Sequence, residues 1–172
     1  MKRTELLARY YANAVRLGGV LAGSSNEQQQ ALRQFGCEFG IAGQITNDVA
    51  DYSIVQYETF AKQYKDTFSD FKGKKMTLPL IFTLDKSTAR QKSAIQELLQ
   101  QDTIRLTDTD KNEVHNIMAD CGAFDASIHA ARNHAKLAKL ALKKEFVNDA
   151  RRHLSQATVM PRHNKYYSQI MR

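Results

Sequence analysis

Apolar residues recur three and four positions apart along most of the chain, and almost nowhere at the two-residue spacing of a half-buried strand. Leu6, Leu7, Tyr10, Tyr11, Ala14, Leu17 and Leu21 set a first helix over residues 3–22. Gly23-Ser24-Ser25-Asn26 ends it and caps a second, expected from about residue 27 to beyond Tyr52. A polar loop rich in Lys and Asp is expected near residues 64–76. Thr77 then reads as the N-cap of a short apolar helix over 78–84, where Pro79 suits a first turn. A helix over 86–101 turns Ala94, Ile95, Leu98 and Leu99 inward, and a cap cluster, Thr107-Asp108-Thr109-Asp110, precedes Val114, Ile117 and Met118. A long late helix over about 124–146 strings Ile128, Ala131, Ala135, Ala138 and Leu142 along one stripe, as close helix packing requires. A shorter helix is expected over 151–158, and Pro161 opens a basic tail. No segment reads as a strand, and neither a repeat nor a linker divides the chain. The pattern predicts one all-α domain over residues 1–172.

Composition supports this. In 172 residues there are two Pro, eight Gly and no Trp, too few breakers for a loop-rich β-sandwich. The net charge of +7 favours anionic partners without choosing among nucleic acid, anionic membrane and phosphate-bearing substrates. Cys37 and Cys121 make neither a disulfide framework nor a CxxC pair, and the five histidines form no HExxH, so a zinc site is not expected. Both thiols are expected to be buried in a reducing, cytoplasmic compartment. The first fifteen residues hold no secretory apolar core, and no run of eighteen apolar residues exists, so no transmembrane segment is predicted.

Two stretches bear candidate chemistry. On the second helix Gly36, Gly40, Gly43, Asn47 and Asp51 fall three or four apart and share a face. Three glycines inside a helix together cost about 2–3 kcal/mol unless something must come close, a neighbouring helix or a ligand. Gln44, Asp48 and Asp51 form the adjoining stripe. Two carboxylates one turn apart repel, and a divalent cation relieves that; Mg²⁺ prefers such oxygens together with water and phosphate. A glycine-lined packing face ending in a solvated acidic turn fits the same residues. Further on, Lys72, Lys74 and Lys75 crowd a loop just ahead of a helix start, which suits a phosphate. An ordinary solvated lysine loop is the other reading. Metal ligands followed some twenty residues later by phosphate cations, in an all-helical chain, suggest a metal–diphosphate site.

At this point the sequence resembles the trans-isoprenyl diphosphate synthases, the polyprenyl synthetase family. The family's second aspartate-rich motif, G-x-x-F-Q-I-x-D-D-x-x-D, stands here as Gly40-Ile41-Ala42-Gly43-Gln44-Ile45-Thr46-Asn47-Asp48-Val49-Ala50-Asp51. Its downstream D-x-x-x-G-K-x-T-x-P stands as Asp70-Phe71-Lys72-Gly73-Lys74-Lys75-Met76-Thr77-Leu78-Pro79, with Lys75 on the motif lysine. The segment 14–23 looks like the family's preceding helix, and 122–142 like its Ala-rich C-terminal helices. The resemblance implies the C-terminal half of the isoprenoid synthase fold, an all-α bundle around a prenyl cavity. It implies Mg²⁺-dependent condensation of isopentenyl diphosphate with an allylic diphosphate. It also implies Mg²⁺ ligation by Asp48, Asp51 and, more weakly, Asn47; catalytic roles for Lys75 and Gln44 beside the diphosphate; and diphosphate binding by Lys75, with Lys72 and Lys74 as neighbours.

The sequence departs from the family in three places. Gly43 replaces a Phe, Asn47 replaces the first Asp of the motif, and no first DDxxD precedes residue 40. Product length, which the family sets near that first motif, is therefore not legible. A chain corresponding to half a fold is expected to expose apolar helix faces and to pair with a missing N-terminal half, a partner synthase subunit or another copy of itself. A non-catalytic subunit of a heteromeric synthase is the alternative function. A nucleic-acid binder built on Arg151, Arg152, Arg162, Lys165 and Arg172 is disfavoured by flanking acids and the lack of a helix-turn-helix pattern. His129 and His134, off a common face, read as surface or boundary residues, and Phe35 and Phe39 as core.

Overall fold

A computed structural model describes residues 2–54, 67–101, 105–143 and 145–146. Among them lie seven helices and no strand: α1 Lys2–Leu21, α2 Asn26–Asp51, α3 Ser69–Lys72, α4 Leu78–Lys86, α5 Ala89–Gln100, α6 Asp108–Asp120 and α7 Ala123–Ala141. The helix expected over 151–158, the basic tail and residues 64–66 of the expected polar loop lie outside the described residues. None of the described helices is long and apolar enough to cross a membrane.

Four expected boundaries move. α2 stops at Asp51 rather than running past Tyr52. Tyr52 and Ser53 close tighter bonds to Val49 and Ala50, and the Asp51 carbonyl accepts the Phe68 N–H at 2.7 Å, so the last turn is captured from outside the helix. α4 extends to Lys86, and α5 starts only at Ala89. Thr88 makes a capping box there, accepting the Gln91 N–H at 3.3 Å while Gln91 Oε1 accepts the Thr88 N–H at 3.0 Å. α7 ends at Ala141, short of Phe146, where the Lys143 N–H folds back on the Leu140 carbonyl. The cap cluster behaves as read: Thr107 and Asp110 form a second capping box.

The chain divides into two compact units. One comprises Ile45–His129. Its core is Tyr52, Phe68, Phe71, Leu80, Ile95, Val114, Ile117, Met118 and Ala123, with Ala94, Leu98 and Leu99 packed against it as expected. Tyr52 and Phe68 meet edge to face, ring centroids 5.5 Å apart. The entry to α3 turns on Phe68 at φ 60°, a costly left-handed conformation for an aromatic residue, held because the ring is fully buried and its N–H is bonded to α2.

The other unit comprises Lys2–Gln44 and the described residues from Ala130 on. Leu32, Phe35, Ala138 and Leu142 form its core, with Val15 and Phe39 against it, and Phe35 and Phe39 stack at 5.8 Å. Two of the three glycines of α2 are explained here. A Cβ on Gly36 would lie 2.5 Å from the Tyr11 carbonyl oxygen, and one on Gly40 3.1 Å from the Ala8 Cα, so both exist to let α1 approach. Gly43 has nothing within 4 Å of such a Cβ. The apolar positions of α1 divide differently from a simple inward stripe. Ala8 and Ala12 are buried, whereas Leu6 (69% exposed), Tyr10, Leu17 and Leu21 (81%) face outward. The thiols also differ from expectation: Cys37 and Cys121 are half-buried, not buried, and unpaired. His129 is exposed, and His134 is half-buried, its Nδ1 2.6 Å from Glu38 Oε2.

Candidate functional site

All but one of the candidate residues fall in the unit 45–129. The exception is Gln44, buried on α2 just before the division. At the C-terminal end of α2 the side chains separate by exposure: Asn47 is exposed, while Asp48 (6%) and Asp51 (1%) are buried. Asp51 is the centre of the local construction. Its Oδ1 accepts the Ser69 hydroxyl at 2.9 Å, and its Oδ2 accepts the backbone N–H of Asp70 at 2.8 Å. With the Phe68 N–H on its carbonyl, Asp51 ties the C-terminus of α2 to the first turn of α3 through three bonds. Charge-assisted bonds of this kind are among the stronger ones a buried carboxylate can make.

α3 in turn sets the lysine loop, where a continuous polar loop was expected. Asp70, buried, accepts the Lys75 ammonium at 2.7 Å through Oδ1, and its carbonyl accepts the Lys75 N–H at 2.9 Å. Lys74 takes φ 51°, which closes the turn. Lys72 is half-buried and Lys74 exposed. The loop is thus one tethered turn rather than a solvated tract.

Thr77 precedes α4 as expected, but its hydroxyl does not cap the helix. It pairs instead with the buried Tyr52 hydroxyl at 3.1 Å. His115 Nδ1 lies 2.9 Å from the Tyr52 carbonyl oxygen and joins α6 to the same corner. Burial, above all, pushes the Tyr52 phenol well above its ordinary range; the negative charges of Asp51, Asp70 and Asp48 push the same way, against the bond to Thr77. The folded value lies above the unfolded value of about 10, so this contribution to stability is complete below pH 10 and lost as pH rises beyond it. Tyr52→Phe is expected to cost about 1 kcal/mol at neutral pH, for the lost hydroxyl pair. It should also flatten the fall in stability above pH 10, measured by urea denaturation across that range. Equal alkaline losses in both proteins would refute the assignment.

Tyr52, Ser69, Asp70 and His115 were given no role from the sequence. Asp70 was visible only as a motif position, and the one signal available was its placement five residues before Lys75. Among the described residues no three His, Cys, Asp or Glu side chains converge into a metal cage. The donor set here is of another kind: buried carboxylate with an exposed amide beside it, which fits a cation that keeps water and substrate oxygens in its shell.

The described residues thus present a helix bearing glycines and aspartates, tied at its end to a lysine turn. The polyprenyl synthetase profile matches residues 6–118, more than half the chain, and the protein belongs to that family. An octaprenyl diphosphate synthase of Haemophilus influenzae is 29% identical over 131 residues, covering 76% of this chain and 38% of that protein. The Escherichia coli octaprenyl diphosphate synthase is 29% identical over 136 residues, covering 79% of this chain and 40% of its own length. A solved polyprenyl synthase from Caulobacter crescentus, complexed with calcium and isoprenyl diphosphate, is similar with a TM-score of 0.75 at 28% identity, over 86% of this chain and 43% of that one. The chain spans about two fifths of the length of the curated relatives it matches.

Proposed function

We propose that this chain is part of a prenyltransferase that condenses isopentenyl diphosphate with an allylic diphosphate, with magnesium as cofactor. The observation that supports this most is the tethered lysine turn. In a chain of this family, Asp51 and Asp70 hold Lys75 at the surface beside the acidic end of α2. Lys75, with Lys72 and Lys74 as neighbours, binds diphosphate oxygens. Asp48 and Asp51, with Asn47 beside them, hold the ion, and Asp51 also fixes the turn through the protein hydrogen bonds its two oxygens accept. Gln44 lies one turn earlier on α2 and serves the same diphosphate. Magnesium, when bound, supplies positive charge against the leaving diphosphate, where fixed cations matter most.

The exposed apolar stripe of α1, Leu6, Tyr10, Leu17 and Leu21, is the surface on which the remainder of the fold, a partner synthase subunit or a second copy packs. Free thiols suit a cytoplasmic setting.

Calorimetric titration with inorganic pyrophosphate tests the site. Binding is expected with Mg²⁺ and not without it. Asp48→Asn and Lys75→Ala are each expected to weaken it about tenfold, the worth of one charge-assisted contact. Absence of Mg²⁺-dependent binding to the wild-type chain would sink the reading. Labelled isopentenyl diphosphate, supplied with allylic diphosphates of several lengths, then tests condensation by the intact gene product and its co-purifying partners.

A further inference from the structure

We infer that Asp70 is a positioning residue for the Lys75 ammonium; that the ammonium so held meets a diphosphate rests on the function proposed above. The pair is asymmetric. The Asp70 side chain is 8% exposed and the Lys75 side chain 49%, with Nζ and Oδ1 2.7 Å apart. The carboxylate is therefore the fixed partner and the cation the presented one. Asp70 is itself placed from behind, because its N–H is bonded to the buried Asp51 carboxylate at 2.8 Å. On its way back to Asp70 the Lys75 stem passes over Gly73, where a Cβ would stand 3.2 Å from the Ser69 carbonyl oxygen, 3.3 Å from Lys75 Cε and 3.6 Å from its Cγ.

A lysine ammonium has three donors and one of them is engaged with Asp70. The long side chain has already given up its rotamer freedom, so a ligand that meets it there does not have to order it. The opposite role is physically distinct: a carboxylate that merely competes with the ligand would weaken binding, and its removal would strengthen it.

The test is a double-mutant cycle on the 172-residue chain, read by Mg²⁺-pyrophosphate affinity and by side-chain relaxation. Asp70→Asn is expected to weaken pyrophosphate binding about fivefold when Lys75 is present, and not at all in a Lys75→Ala background. Asp70→Glu should recover part of the loss. Tighter binding in Asp70→Asn would show competition, and an equal loss in both backgrounds would show a merely structural carboxylate; either overturns the inference. Without any ligand, the carbon relaxation order parameter at Lys75 Cε should fall in Asp70→Asn to the level of the exposed Lys74. An unchanged order parameter overturns the inference whatever the titrations give. If the wild-type chain binds no pyrophosphate but the order parameter falls, the proposed function fails while the positioning stands.

Discussion

Asp51→Ala will destabilise the chain by about 3 kcal/mol, because it removes the acceptor of two hydrogen bonds at once and leaves a buried Asp70 N–H without a partner. Asp51→Asn will cost only about 1 kcal/mol, since the amide oxygen can take the Asp70 N–H while its NH₂ donates to the Ser69 hydroxyl. The comparison separates two roles of one residue. If Asp51 only fastens α3, pyrophosphate affinity will track stability, lost in the alanine and largely kept in the asparagine. If its charge also serves a bound cation, the asparagine variant will fold and bind poorly. Urea denaturation followed by circular dichroism, with the same titration as above, reads both. An alanine variant within 0.5 kcal/mol of wild type, as for an ordinary surface substitution, would remove Asp51 from the centre of the site.

The second large effect is a change of sign along one helix. Gly36→Ala places a methyl 2.5 Å from the Tyr11 carbonyl oxygen and 2.8 Å from the Ala12 Cα, both backbone, so α1 and α2 must part. A net loss of about 2–3 kcal/mol is expected, although alanine is the better helix former by about 1 kcal/mol. Gly43→Ala meets nothing within 4 Å and should gain about 0.5–1 kcal/mol through the same propensity. Midpoints of denaturation for the two variants on opposite sides of wild type would establish the separation; a shift in the same direction would refute it. Gly43, where the family motif has Phe, is thus a glycine without a packing duty toward α1.

The candidate site was half legible in this way. Its residue types and order along the chain, Asp48, Asp51, then Lys72, Lys74 and Lys75, were on view because motif chemistry is local. Its wiring was not. Nothing in a sequence announces that the Asp51 carboxylate is spent on Ser69 and Asp70, or that the Thr77 hydroxyl turns from its own helix to Tyr52. Those partners are eighteen, nineteen and twenty-five residues apart. The expected polar loop hid α3 because four residues are too few to show a helical period, and because their order comes from bonds made by α2.

By itself the sequence determined that the fold is all-α, where most helices begin, and to which family it belongs. Period and capping chemistry act over a single turn and need no partner. Only the tertiary structure decided which side of α1 is inward. On α1, Leu6, Tyr10, Leu17 and Leu21 share a stripe by spacing, yet Ala8 and Ala12 are the buried ones, because the glycines of α2 allow contact too close for any large side chain. A helical period states which residues are neighbours; what lies against them is settled by the surface that comes to meet them.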